Sequence, residues 1–217
     1  MRIAVLSLLV FSFGCARGPE SPLGLAAAAG DLAGVQRLLA EGARPDGLEG
    51  ERWTPLGRAA RHGHLDVLRA LVAAGARVDR PDRANRWTPL MHAIHKGQTG
   101  AVAALLEAGA DPNARGGGGV TPLMMAAGYG QTGIVRRLLA RGADPRALSD
   151  AGLNALWSAA GGGAIADITD GPAFGSCFPE TARVLREAAP DLKLPAGDAT
   201  RLLAWLARGE CKPLLRE

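Results

Sequence analysis

Four histidines and three cysteines are the residues of this chain whose types and spacing could carry chemistry. His62 and His64 form one close pair and His92 and His95 another, the second at a helical spacing that could in principle grip a metal. A metal site of fixed geometry takes three or four ligands, and no Cys or carboxylate completes either set. The expectation is therefore a structural or surface role for these imidazoles, with no metal and no cofactor; a metal-dependent hydrolase is a minor alternative, short of ligands. The glycine runs at 116–119 and 161–163 lack the Lys and the helix start that a phosphate cradle needs, so they are expected to be turns. With no Ser nucleophile elbow and no Cys and His dyad, the chain is not expected to be an enzyme or to take a small-molecule substrate.

The cysteines point to export. Residues 1–15 begin with a basic Arg2, continue through an apolar run from Ile3 to Phe13 and close on Gly14 and Cys15. That run is too short to span a bilayer, which needs about 20 residues, and it fits a secretory signal. Cys15 directly after Gly14 resembles a bacterial lipobox, in which the Cys is acylated; Ser12 and Phe13 depart from the usual aliphatic and small residues, which leaves ordinary signal cleavage open. The expected location is the periplasm or a cell-envelope membrane, with Cys15 as lipid attachment. Cys177 and Cys211 then remain, and an even count in an oxidising compartment suggests a disulfide. The alternative is two thiols packed separately.

The elements that must position these residues come from a repeat. The pentapeptide RWTPL occurs at Arg52–Leu56 and again at Arg86–Leu90, and equivalent starts fall at Ser21, Thr54, Thr88, Thr121 and Asn154, in steps of 33, 34, 33 and 33. Such self-similarity marks a stacked array whose single unit cannot bury its own apolar face. Thr54, Thr88 and Thr121 suit helix N-caps, and Pro55, Pro89 and Pro122 suit the first helical position. Small pairs such as Ala59/Ala60 and Ala126/Ala127 let a second helix approach, and Gly63, Gly97 and Gly130 stop the first. Val67, Leu68, Leu71 and Val72, like Ile134, Val135, Leu138 and Leu139, give the second helix its apolar spacing before Gly75 and Gly142. ARVDRPDRANRW, ADPNARGGGGV and ADPRALSDAGL suit hairpin fingers joining the units.

Written as TPLxxAAxxG followed by VxxLLxxGAD, the unit resembles the ankyrin repeat over residues 21–160. The resemblance implies an all-α solenoid of helix-turn-helix units with hairpin fingers. Arg52 and Arg86 stand where many family members carry Gly, His64 stands where the family often has His, and the fifth unit has NALW for TPLH. The expected layout is a signal segment at 1–15, a linker at 16–20, five repeats at 21–189 with an insertion in the fifth at about 161–178, and a C-terminal capping helix at 190–217. A pairing of Cys177 with Cys211 would pin that insertion to the terminal helix.

Composition excludes more. One elongated domain accounts for 217 residues of 47% apolar content, and 30 Gly with 4% aromatic residues suit close helix packing. The net charge is +4, interspersed along the chain, so no nucleic-acid partner is expected. What remains is a surface. Arg58, Arg61, His62, His92, His95, Lys96, Met125, Tyr129 and Ser158 on the first helices, with Trp53, Arg83, Arg86, Trp87 and Arg115 on the fingers, are expected to line a concave face. Trp, Tyr and Arg dominate protein interfaces, although Trp53 and Trp87 could equally support neighbouring fingers. The groove reads as basic in units two and three and apolar in unit four, which implies a protein partner with an acidic, partly apolar segment. The function expected is a non-catalytic binding scaffold; an immunity or enzyme-accessory protein that blocks or protects a partner's active site needs the same face.

Overall fold

The computed structural model describes residues 20–47, 52–161 and 177–194. Within them lie five helix pairs: α1 Pro22–Ala29 and α2 Leu32–Ala40, α3 Pro55–His62 and α4 Leu65–Ala73, α5 Pro89–His95 and α6 Thr99–Glu107, α7 Pro122–Gly128 and α8 Thr132–Ala140, α9 Ala155–Gly161 and α10 Pro179–Ala188. No strand occurs among the described residues. The signal segment with Cys15, most of the fifth-unit insertion, and the C-terminal capping helix with Cys211 fall outside them.

Every first helix starts by one device. Ser21, Thr54, Thr88 and Thr121 accept the backbone N–H three residues on at 3.0, 3.0, 3.4 and 3.3 Å. Asn154 does the same for Trp157 N–H at 2.9 Å, so the fifth unit keeps its cap without the Thr. Helices α1 and α3 end on Gly30 and Gly63, both at φ 74°, a left-handed conformation that Gly adopts without side-chain penalty. The chain then turns back at once into the second helix.

Stacking makes the core. The odd-numbered helices contact one another in one row and the even-numbered helices in a second. Between the rows sit the Leu anchors Leu56, Leu90, Leu123 and Leu156, and from the even row Leu68, Leu71, Leu105 and Leu138, all buried. Ala59, Ala60, Ala93, Ala126 and Ala127 are fully buried too, which lets the odd row pack closely.

Two polar ladders fix the register between units. The residues opening α4 and α8 reach back to the first helix of the unit before: His64 Nε2 donates to the Ala28 carbonyl at 3.1 Å and Gln131 Nε2 to that of Ile94 at 2.7 Å. Phe178, which opens α10, stands at this same position, and its ring lies so close over Gly130 that an added Cβ would come within 2.3 Å of it. The second helix of the fifth unit thus keeps the stacking register, as Phe178 N–H donating to the Ala159 carbonyl at 2.9 Å also shows. The second ladder joins the loops after the second helices: Asp46 accepts Arg77 N–H at 2.9 Å, Asp79 accepts Asp111 N–H at 3.1 Å and Asn113 accepts Asp144 N–H at 2.8 Å.

Leu138 is fully buried between α8 and its neighbours. Leu138→Ala is expected to cost about 2–5 kcal/mol in urea unfolding, the range for a Leu cavity in a packed core; an unchanged midpoint would contradict the stacking described.

Candidate functional site

The fingers are hairpins closed by single backbone bonds. Asp82 N–H donates to the Trp87 carbonyl at 2.8 Å, Gly116 N–H to that of Val120 at 2.9 Å and Ser149 N–H to that of Leu153 at 2.8 Å. Their tips are bonded to each other in series: Arg83 N–H to the Arg52 carbonyl at 3.1 Å, Gly117 N–H to that of Asn85 at 2.9 Å and Asp150 N–H to that of Gly118 at 2.9 Å. A row of fingers joined this way is a rigid edge, and it sets which side chains can leave the fold.

Many do not leave it. The residues before the first two first-helix caps lean onto the first helix of the next unit. Glu20 pairs with Arg58 at 3.2 Å, and the Trp53 ring packs on His92 with centroids 5.7 Å apart. His92 is held between Trp53 and Trp87, the latter at 5.6 Å, and its Nε2–H donates to Asp82 Oδ2 at 2.6 Å with both side chains buried. Asp82 Oδ1 accepts Asn85 N–H at 2.7 Å, so this one carboxylate fastens the second finger to α5. Further along, Trp87 packs on His95 at 5.2 Å, and His95 Nδ1 shares a 2.8 Å hydrogen bond with the Tyr129 hydroxyl.

These contacts correct the expected surface. Arg58, Trp87, His92, Met125 and Ser158 are 7, 6, 2, 0 and 3% exposed, and none offers contact area to a partner. For Arg58, Trp87 and His92 the burial follows from Glu20, Trp53 and Asp82, which close the faces of α3 and α5 that a helical wheel alone assigns to solvent. The structure keeps Arg52, His62, Arg83, Arg86 and Lys96 exposed, with Trp53, Arg61, His95 and Tyr129 half-buried. Arg115 is exposed but engaged, donating to the Leu148 carbonyl at 2.9 Å and to Asp150 at 3.1 Å. Glu20 and Asp82 were not singled out by sequence; the spacing of Asp82 and Asn85, which suits a side chain bonding the backbone of its own turn, was the one signal available.

The histidines take no common ligand. His62 and His64 stack with centroids 5.8 Å apart, His92 is bonded to Asp82 and His95 to Tyr129. Among the described residues no three His, Cys, Asp or Glu side chains converge. The half-buried Cys177 is disulfide-bonded, next to Phe178.

What does converge is positive charge on one aromatic ring. The guanidinium carbons of Arg52, Arg58 and Arg61 lie 5.8, 5.7 and 5.2 Å from the Trp53 ring centroid, within cation–π range. The same field acts on His62: its pKa is lowered, first by burial and then by the charges of His64, Arg61, Lys96 and Arg58. A cleft beside the second finger, lined by Arg77, Arg80 and Arg83, also holds guanidiniums, and there Arg77 and Arg80 are bonded to Asp46.

Two family models, described as ankyrin repeats (3 copies) and ankyrin repeats (many copies), match residues 23–116 and 105–156, together more than half of the chain. The chain belongs to the ankyrin-repeat family. No curated protein matches it. Proteins of this family bind other proteins, which makes the exposed side chains of the fingers and first helices the candidate site.

The lowered His62 pKa gives a test of the charge on that site. Because the unfolded chain takes the proton first, the stability carried by neutral His62 is present above the ordinary His range and is lost as pH falls through the lowered value. In an NMR titration the His62 resonance is expected to titrate below free histidine, and Lys96→Glu, which replaces a repelling charge by an attracting one, to move it up. An unmoved midpoint would show that the field is screened away.

Proposed function

We propose that this ankyrin-repeat protein is a non-catalytic scaffold of the cell envelope that holds a partner protein by an acidic, partly apolar segment. The observation that carries the reading is the uneven use of its cations. Arg77, Arg80, Arg115, Arg136, Arg146 and Arg183 are bonded to carboxylates of the fold, whereas the exposed Arg52, Arg83 and Arg86 have no such partner among the described residues, and the Arg52 guanidinium lies over the half-buried Trp53 ring. Exposed cations beside an aromatic ring favour a carboxylate-bearing surface with some apolar area, through charge complementarity in encounter and ring burial in the complex.

Export rests on the sequence alone: a basic start, a short apolar run and Gly14 before Cys15 support a lipid-anchored mature chain. Labelled palmitate incorporated by the wild type and lost in Cys15→Ser is the expected result; equal label in both would remove the anchor from the account. Cys211 is the proposed disulfide partner of Cys177, since lipidation of Cys15 would leave no other cysteine.

For the binding face, Arg61→Glu combined with Lys96→Glu is expected to keep the helical circular dichroism and a cooperative melt, while cross-linked capture of an envelope partner falls by about tenfold, the equivalent of 1.4 kcal/mol. Arg58 is unsuitable for this test because its pairing with Glu20 is part of the fold. Capture unaffected by the double change would place the interface elsewhere.

A further inference from the structure

Arg86 stands in the left-handed region, at φ 57°, and no other described residue apart from Gly has a positive φ. It lies two residues before the cap Thr88; at the same place in the next two units are Gly119, at φ 69°, and Gly152, at φ 73°. The second, third and fourth fingers share this conformation, which Arg52 at the same place in the first finger does not adopt; glycine meets it without cost, whereas a long side chain meets it with strain. The hairpin cannot relax it away, because Asp82 N–H holds the Trp87 carbonyl, Asp82 is buried against His92, and Trp87 is itself buried.

No bond among the described residues offsets that strain. The Arg86 side chain is exposed and makes no hydrogen bond or ion pair with the described residues, unlike Arg115 on the next finger, which is tied to Leu148 and Asp150. Strain kept at an exposed position without internal compensation points to use in binding. Around it the charge is concentrated: Arg83 belongs to the same hairpin, and its N–H bond to the Arg52 carbonyl sets the tip of the first finger alongside.

We infer that Arg86 is the anchor of a carboxylate-binding fingertip site, with Arg83 and Arg52 beside it, that receives an extended acidic segment of the partner protein. This rests on the acidic-partner reading above and narrows it to the tips of the first two fingers. A rigid hairpin presenting an unneutralised guanidinium loses little freedom on binding, and the planar fork suits a carboxylate held by two bonds. Three neighbouring cations ask for at least two carboxylates on the ligand.

The test uses the full chain, a short peptide of alternating Glu and Val, its Gln and Val counterpart, and phosphatidylglycerol vesicles, at low salt. Arg86→Gly is expected to melt about 2–4 °C higher than wild type and to bind the Glu peptide about tenfold more weakly, while Arg86→Lys, which keeps charge and strain but not the planar fork, melts no higher and binds more weakly than wild type but more tightly than Arg86→Gly. The Gln peptide is expected not to bind. A lower melting temperature for Arg86→Gly would overturn the strain argument, and Glu-peptide binding unchanged by it would overturn Arg86 as anchor while leaving the acidic-partner reading standing. No binding of the Glu peptide by the wild type would overturn both, and binding of the vesicles in its place would assign the cations to a lipid surface.

Discussion

One repeat of this chain cannot bury its own apolar face, and everything else in the structure follows from that constraint. Leu56, Leu90, Leu123 and Leu156 become core only when the next helix pair covers them, so the free energy of folding resides in the interfaces between units. Burying one such Leu is worth about 1.5–3 kcal/mol, and the repeating ladders add direction to a force that has none. His64 on Ala28 and Gln131 on Ile94 admit one register of stacking, and Phe178 over Gly130 carries that register past a long insertion. The fifth pair can therefore accommodate extra chain between its two helices without loss of its place in the stack.

The same constraint decides which side chains are available for binding. Residues ahead of the caps lean one unit forward, so that Glu20 meets Arg58 and Trp53 meets His92, and the side chains they cover are spent on cohesion. The buried pair of His92 and Asp82 belongs with them: a carboxylate that leaves water needs a bonded partner, and the imidazole supplies it while fastening the second finger. What the fold leaves over is at the finger edge, where a row of backbone bonds holds the tips still and guanidiniums extend beyond Trp53. Rigidity and unneutralised charge occur in the same place, which is the combination that lowers the cost of binding.

The helices, their caps and their order were legible in the residues, because Thr and Pro at the start and Gly at the end act locally and recur in phase. Even Asn154, which departs from the pattern, caps as its type allows. The side chains of the groove were not legible in the same way. His92 and Met125 lie at helix positions that local periodicity turns toward solvent, yet both are buried, His92 because two Trp rings and a finger carboxylate from another part of the chain close over it. Arg86 was visible as an Arg where Gly is usual, but its left-handed backbone came only with the finger's hydrogen bonds. Local signals fixed in one unit were readable; contacts between units required the array.

On this reading the partner is held along the fingers and the adjoining first helices, and not on the second helices. Amide hydrogen exchange of the full chain, measured with and without a captured partner, addresses it directly. The account predicts added protection at 52–53 and 82–87, with the second helices α2, α4, α6 and α8 exchanging as in the free protein. Protection confined to those second helices, with the fingers unchanged, would contradict it.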